Sequence, residues 1–556
     1  MYKAVHFFLA VISVTALAAS SNQTIIHNGK IFTSNKDNLW AQALIIQGNT
    51  IIAVGDNDEI LAKAKKDTLI IDLEGRLVIP GFNDAHAHPP ILPPGVRLNP
   101  DFDPFATQIS LQELGERIQV KTAQHAPGTW IYVTVGGTVM DDPNADRFYL
   151  DQIAPDHPVK FESWAGHGMV INTAAMEVLG IGAEEPDPLG GSYERVAGTQ
   201  KINGRVHEYA EHQIRRSLKA LTTADDARAS YRAYAETVAR FGVTTVQDIP
   251  LGLEKATSDA ILRDSDLPVR WRSICFPLTP EESCASELPF HQDEMVYSSG
   301  IKWILDGSPI ERYAFLQDPY SDLPSWSGVF NFPNTMADIL DLATGNKFRN
   351  QLILHAVGDG AVDNMLNELA GVPDAAKWPS RRVRIEHGDV ILPEHLGLMR
   401  DLGVTLVQNP FHFGLPGTLT ERFGAERMQV IQPMRSVLDA GIVLAFGSDG
   451  VDAPGHPFLE LLFAVTHPTN PSEAITLEEA LIAYTWGSAY AEFSDHVKGT
   501  LEKGKLADLA VISEDIFTMD YSLPNIGQIS GVHSVLTMVD GRIVHDEGAL
   551  TGTTNP

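Results

Sequence analysis

Eight short apolar segments, each long enough for one β-strand, alternate with helical segments through the middle of the chain. This alternation is typical of βα units and a parallel sheet, and eight parallel strands are the number that closes a (β/α)₈ barrel. The predicted strands cover residues 77–84, 243–248, 269–275, 301–306, 352–355, 383–387, 404–408 and 442–449. The sequence therefore predicts an α/β fold built on a TIM barrel.

The two ends of the chain have a different sequence pattern from the middle. Residues 24–80 contain short apolar runs separated by Asn-Gly and Gly-Asn turns, and similar runs follow residue 506. We predict one small β-sandwich domain from residues 21–78 and 499–556, and a barrel over 79–498. The gap between the first two barrel strands is too long for one helix, which predicts an insertion at about 92–240.

The first twenty residues predict export. Lys3 precedes an apolar run over residues 7–19, and small residues follow, which is the pattern of a secretory signal peptide at residues 1–20. The run is too short to span a bilayer, so no stable membrane span is expected. An exported protein could pair Cys275 with Cys284, but their spacing leaves a disulfide and two buried thiols equally open.

The overall charge limits the partners of this chain. With 41 basic and 71 acidic residues the formal net charge is −30, and such a surface repels phosphate backbones. Nucleic acid is therefore excluded as an expected partner. A small-molecule substrate is expected instead, and the sequence leaves a homo-oligomer open.

The strongest local motif is Pro-Gly-Phe-Asn-Asp-Ala-His-Ala-His at residues 80–88. Side chains alternate between the two faces of a strand, so Asp84, His86 and His88 point the same way. Two inward-facing imidazoles at a strand end can hold one divalent metal ion.

Three further predicted strands end in residues that bind metals, namely His355, His387 and Asp449. The active sites of TIM barrels lie at these carboxyl ends of the strands. Several histidines with one carboxylate suit zinc or a similar divalent ion. The sequence therefore predicts a metal centre at this end of the barrel.

These motifs resemble the amidohydrolase superfamily, whose hallmark Pro-Gly-x-x-Asp-x-His-x-His stands at residues 80–88. The chain is most similar to the branch called amidohydrolase family 3, or YtcJ-like. The resemblance covers nearly all of the chain after residue 20. Its other matching stretches are residues 301–308, 355–359, 384–387, 447–449, 479–485 and 499–508.

The resemblance implies a role for each candidate ligand. His86 and His88 would bind a first metal with Asp449 beside them. His355 and His387 would bind a second metal, or one would bind the first metal and the other the substrate. The cofactor would be one or two divalent ions, zinc in the first instance.

Lys302 stands where relatives with two metals carry a carboxylated lysine that bridges both ions. The alternative is an ordinary lysine in an ion pair. His167 matches a segment that relatives place over the active site, so it is predicted to contact the substrate, with a structural histidine as the alternative. His412 and His456 follow barrel strands and are interpreted as loop residues, with a place at the mouth of the barrel as the alternative.

Two departures from the family pattern concern the substrate rather than the metal. Gly360 replaces a basic residue, and Asn409 is inserted after the seventh strand. The resemblance implies hydrolysis of a non-peptide C–N bond, in a linear amide or an N-acyl or N-formyl compound. Asp449 would accept a proton from the attacking water and return it to the leaving amine.

Three alternative functions remain open at this point. A ring deaminase of the superfamily would carry a glutamate where Gly358 stands. An ester or lactone hydrolase could use the same metal centre. A non-catalytic binding protein should have lost at least one metal ligand, whereas none is missing here.

Overall fold

The computed structural model describes residues 23–98, 109–289, 294–344, 351–414, 416–450 and 454–554. The predicted signal peptide at residues 1–20 lies outside the described residues. Across the described ranges, no helix is both long enough and apolar enough to cross a membrane.

Eight parallel strands form the central sheet, and they are called β1 to β8 in chain order. Strands that are neighbours in the chain are also neighbours in the sheet. The amide of Asp449, just after β8, donates to the carbonyl oxygen of His86 on β1 at 2.8 Å, so the two edges meet. The predicted (β/α)₈ barrel is confirmed. The strands are Phe82–Ala87, Val243–Asp248, Arg270–Cys275, Val296–Ile304, Leu352–Ala356, Arg384–His387, Thr405–Gln408 and Val443–Phe446.

The prediction of one first strand over residues 77–84 is wrong. Leu77–Pro80 belongs to a sheet outside the barrel, and β1 begins only at Phe82. Gly81 joins the two at a crowded point, where a Cβ would lie 2.1 Å from a side-chain atom of Thr244. The apolar pattern runs through this joint without a break, so it could not show that the chain changes sheets.

Helices cover the outside of the barrel and share one apolar core with its strands, a core that contains Trp271 and Trp303. Tyr231 and Val238 of Ala224–Arg240 belong to the same core, so this helix is part of the barrel and the insertion ends before it. The longer helices of this layer are Ala224–Arg240, Lys255–Arg263, Met336–Thr344, Asp359–Gly371, Pro393–Asp401, Pro416–Arg427, Met434–Asp439, Pro457–Thr466 and Leu477–Ile482.

The insertion after β1 forms a mixed sheet of six strands with apolar residues packed on both faces. Ile202–Glu208 runs directly into the helix Tyr209–Lys219. The strands in spatial order are Gly191–Arg195, Ile202–Glu208, Gly168–Ile171, Val159–Ser163, Ile131–Val135 and Val96–Leu98. The other helices are Leu111–Thr122, Gly137–Met140, Arg147–Ile153 and Thr173–Leu179.

Strands from both ends of the described chain form two further sheets. Ile26 and Leu44 of one sheet pack with Val78 and Leu536 of the other in a shared apolar core. The first sheet contains Thr551–Thr554, Leu69–Asp72, Gln23–His27, Ala43–Gln47 and Thr50–Gly55. The second contains Arg542–Asp546, Ser534–Val539, Leu509–Ile512, Leu77–Pro80, Lys30–Phe32 and Trp40–Ala41.

A disulfide at one end of β3 and an ion-pair cluster at the other end hold this strand in place. Cys275 at its end forms a disulfide with Cys284, with Cα atoms 5.7 Å apart, which settles the pairing left open above. Arg270 at its start is fully buried and donates to Asp508 at 2.7 Å and to Asp540 at 2.8 Å. Asp508 and Asp540 adjoin strands of the second terminal sheet, so this cluster ties the barrel to the β-sandwich.

Replacing Arg270 by Met should lower the free energy of unfolding by about 3–5 kcal/mol, because Asp508 then stays buried without its cation and the partly buried Asp540 loses its ion pair. Urea unfolding followed by circular dichroism measures the change. Arg400→Met is the control, since Arg400 is 57% exposed in its pair with Asp401, and we expect a change of less than about 1 kcal/mol. Equal effects of the two substitutions would contradict this account of the cluster.

Candidate metal centre

Two histidines and one aspartate converge where β1 and β8 end. His86 Nε2 lies 3.1 Å from His88 Nε2 and 3.4 Å from Asp449 Oδ1, and His88 Nε2 lies 3.1 Å from the same oxygen. Two ligand atoms bound to one tetrahedral zinc ion lie roughly 3.3 Å apart, given zinc–ligand distances of about 2.0–2.1 Å. The three donor atoms therefore fit a single divalent ion.

The other ring nitrogens of this pair are occupied by protein acceptors. His88 Nδ1 donates to the carbonyl oxygen of Ile249 at 2.8 Å, and His86 Nδ1 contacts the carboxylate of Glu386. Burial, assisted by the nearby Lys302, lowers the pKa of His86 to about 4. Both Nε2 atoms are thus left to bind a metal, and such outer partners orient metal-binding histidines in general.

His86, His88 and Asp449 line a cavity of about 20 Å³. The same cavity is also lined by Lys302, His355 and His387. His387 Nδ1 donates to Asn409 Oδ1 at 2.9 Å. Lys302 Nζ and His355 Nε2 are buried and make no hydrogen bond to the described residues. Buried polar atoms are rarely left unsatisfied, and this volume suits one water-sized species, so a bound ion or its water is the natural partner.

Burial also sets the charge of Lys302. It lowers the pKa of this lysine to about 7, although the carboxylates of Glu386 and Asp449 oppose the shift. A large fraction of Lys302 is therefore a neutral amine near neutral pH.

His412 lies in this site, although the sequence suggested an ordinary loop residue. Its Nε2 is 3.3 Å from Asp449 Oδ2, and its Nδ1 is 3.1 Å from Asp389 Oδ2. Burial alone would lower the pKa of His412, but these two carboxylates raise it well above the usual value. His456 lies elsewhere and contacts the carbonyl oxygen of Ser530 at 3.0 Å.

His167 reaches the cavity from the insertion. Its ring centroid lies 4.8 Å from that of His355, and its Nδ1 lies 3.1 Å from Glu208 Oε1. Burial would lower the pKa of His167, but Glu208 outweighs it and raises the pKa to about 9. The side chain is therefore a buried imidazolium beside the candidate metal ligands.

Three of the side chains at the site stand on strained backbone. Glu208, His387 and Asp449 have φ values of 56°, 69° and 48°, which residues other than glycine rarely adopt. Such conformations are typical of functional sites, where the surrounding fold maintains them.

The sequence analysis gave Glu386 no role and related Asn409 to the substrate rather than the metal, whereas both residues contact candidate metal ligands. Glu386 precedes His387 on β6 and is fully buried, and a buried carboxylate on a barrel strand was the available signal. Asn409 is the inserted residue after β7, and it holds His387 on one side and the carbonyl oxygen of Gly447 on the other. Asn409 therefore orients His387 within the histidine cluster.

The loop after β5 has no room for the side chains that relatives carry there. A Cβ on Gly358 would lie 2.0 Å from the backbone oxygen of Phe315, and one on Gly360 would lie 2.9 Å from the Phe315 ring. Phe315 therefore excludes the glutamate of a ring deaminase at residue 358 and explains the missing basic residue at 360.

The barrel and the histidine–aspartate cluster define a metal-dependent hydrolase, and the comparison with known proteins identifies its family. Residues 69–545 match the amidohydrolase family, so the chain belongs to it, as the motifs indicated. It is a hydrolase that acts on carbon–nitrogen bonds.

Similar proteins extend over nearly the whole chain. Protein LONG AFTER FAR-RED 3 of Arabidopsis thaliana is 28% identical, over 92% of this chain and 91% of its own. The N-substituted formamide deformylase of Arthrobacter pascens is 26% identical, over 93% and 97%. An uncharacterized metal-dependent hydrolase of Pyrococcus horikoshii has the same fold, with a TM-score of 0.69 and 22% identity over 90% and 99%.

Replacing Gly447 by Ala should weaken metal binding by about tenfold to a hundredfold, the range for disturbed outer contacts of a metal ligand. The new Cβ would lie 2.5 Å from the backbone nitrogen of His86 and would displace that ligand. Metal titration of the apoprotein measures the affinity. Gly397→Ala is the control, because nothing lies within 4 Å of its Cβ position; an equal loss in both variants would count against the proposed displacement.

Proposed function

We propose that this chain hydrolyses a linear N-acyl compound, with N-substituted formamides as the first candidates, by means of one or two zinc ions. The observation that carries the proposal is the spacing of 3.1 to 3.4 Å among the donor atoms of His86, His88 and Asp449. The formamide candidate rests on the similarity to a formamide deformylase along 93% of the chain.

A bound divalent ion would lower the pKa of water and polarise the substrate carbonyl group. Asp449 would accept the proton of the attacking water on a carboxylate oxygen and deliver it to the leaving nitrogen. Burial would raise the pKa of Asp449, but His86, His412 and His88 hold it well below the usual value, so the carboxylate is ionised and can accept a proton.

His167 would contact the substrate in this reaction. Because its Nδ1 is held by Glu208, its Nε2 would donate to the carbonyl oxygen as negative charge develops there. The insertion would thereby complete a site whose other groups come from the barrel.

Lys302 would carry a carboxylate when two ions are bound, with His355 and His387 completing the second site. A neutral amine reacts with carbon dioxide to give a carbamate and a proton, and a pKa near 7 supplies that amine. The position of Lys302 Nζ, buried and without a hydrogen bond to the described residues, supports this role.

Export is part of the proposal. The signal-like residues 1–20 motivate it, and the disulfide between Cys275 and Cys284 is consistent with it, since disulfides persist in oxidising compartments and are rare in the cytosol.

Elemental analysis of the purified protein tests the metal assignment. We expect two metals per chain, loss of metal in His86→Ala, and one or none in Lys302→Ala. His157→Ala should retain the wild-type content, because this buried histidine of the insertion does not line the metal cavity and its Nδ1 donates to the carbonyl oxygen of Thr129. A single ion that persists in Lys302→Ala would make the lysine structural. No metal even after supplementation would disprove the proposal.

Formate release from N-hexylformamide tests the reaction. The wild type should release formate and hexylamine, and Asp449→Asn should lower kcat by about 10²–10⁴, the usual contribution of a general base. Metal content is measured on the same samples, to separate lost proton transfer from lost metal. Asp401→Asn, an exposed change, is the control. A fully metal-loaded wild type that releases no formate would reject the formamide assignment and leave the metal site standing.

A further inference from the structure

A second cavity of about 370 Å³ lies between the insertion and the loop after β4. Its volume is within the usual range of small-molecule sites, roughly 300–1,000 Å³. We call it the side cavity. Among the residues that line it are Arg205, His207, Glu311, Arg312, Tyr313 and Trp326.

Arg312, one of the two arginines that line the side cavity, is already neutralised. Arg312 pairs with Asp141 at 2.7 Å and with Asp322 at 2.8 Å. Arg422 binds the same two aspartates, so two cations and two anions form a closed set.

Arg205 pairs with Glu194 at 3.3 Å and also donates to three backbone carbonyl groups. With these pairs complete, Glu311 is the remaining carboxylate of the lining. One oxygen of Glu311 accepts from Ser308, and Oε1 is buried without a hydrogen-bond partner in the described part of the chain.

His207 belongs to the same lining and is held by Glu194. Its Nε2 lies 2.8 Å from Glu194 Oε1, and because a carboxylate only accepts, this nitrogen carries the hydrogen. His207 itself is 3% exposed. The carboxylate of Glu311, which only accepts hydrogen bonds, therefore remains to bind a ligand that donates them.

Aromatic rings form another wall of the side cavity. Tyr313 stacks on His207 with ring centroids 4.2 Å apart, and Trp326 meets Tyr313 edge to face at 5.9 Å. Aromatic faces attract organic cations and pack against apolar groups. A carboxylate beside such rings is suited to an ammonium group on an apolar body.

The side cavity lies directly behind the candidate metal centre. His207 and Glu208 are consecutive on one strand, so His207 faces the side cavity while Glu208 holds His167 at the metal centre. Gly168 stands at the wall between them, where a Cβ would lie 3.1 Å from Glu311 Cγ and 3.6 Å from His207 Nδ1. Gly168, next to His167 in the chain, therefore adjoins residues that line the side cavity.

We propose that the side cavity binds an organic ammonium ion, through the carboxylate of Glu311 and the rings of Tyr313 and Trp326. The amine released by hydrolysis of an N-acyl compound belongs to this class. The connection with the amine product rests on the function proposed above, whereas the binding of the ammonium ion does not.

Calorimetric titration of the metal-loaded protein with 2-phenylethylammonium chloride tests the inference. We expect a dissociation constant at least tenfold higher in Glu311→Gln, which removes the charge that pairs with the ammonium group. Leu323→Trp should have a similar effect, since Leu323 is 40% exposed at the lining of the cavity and a larger ring there blocks entry without disturbing the core. Glu59→Gln, an exposed change in the β-sandwich, should leave the affinity unchanged.

Two controls distinguish binding in the side cavity from binding at the metal centre, and recognition of the ammonium charge from apolar packing. His86→Ala should keep the affinity for 2-phenylethylammonium, and the uncharged 2-phenylethanol should bind at least tenfold more weakly than the ammonium ion. Unchanged affinity in both Glu311→Gln and Leu323→Trp, or a loss confined to His86→Ala, would overturn the inference. Because no turnover is measured, a chain that binds the ammonium ion without releasing formate would contradict only the proposed function.

Discussion

The meeting of β1 and β8 is the contact on which the site depends. Asp449 donates its amide hydrogen to the carbonyl oxygen of His86, and Gly447 has no side chain to keep the two segments apart. Closure of the barrel thereby brings a carboxylate within 3.4 Å of two imidazoles that are more than three hundred residues away in the chain. A second backbone hydrogen bond, from the amide of His88 to the carbonyl oxygen of Gly450 at 3.3 Å, joins the same two segments, so the backbone itself holds these candidate ligands together.

Around this contact the protein buries an unusual number of charged groups, and nearly all have partners. Glu386 lies between His86 and Arg384, and Asp84 accepts two hydrogen bonds from Ser448. Partners of this kind fix side-chain orientation, which is the contribution that a metal centre needs from its surroundings. Lys302 Nζ and His355 Nε2 differ, because these two buried atoms make no hydrogen bond to the described residues, and both side chains line the space that an ion would fill.

The insertion gives the barrel both its buried imidazolium and its side cavity. One strand places His207 and Glu208 on opposite faces, so a single element lines both spaces. Metal chemistry and the recognition of an amine would then be divided between the barrel and the insertion. This division fits a family in which one barrel serves many substrates, since loops and insertions vary while strand ends retain the catalytic groups.

The sequence by itself determined the barrel, the family and the candidates His86, His88, Lys302, His355, His387 and Asp449, because strand alternation and strand ends are local properties that neighbouring residues encode. The sequence did not show that the chain passes from one sheet to another at Gly81, because a single apolar run covers both strands. Only the tertiary structure brought Glu386, Asn409 and His412 into contact with the candidate ligands and paired Glu208 with His167, since these contacts join residues 22 to 300 positions apart. Such contacts depend on how the barrel closes and where the insertion packs, and no local pattern in the sequence encodes either.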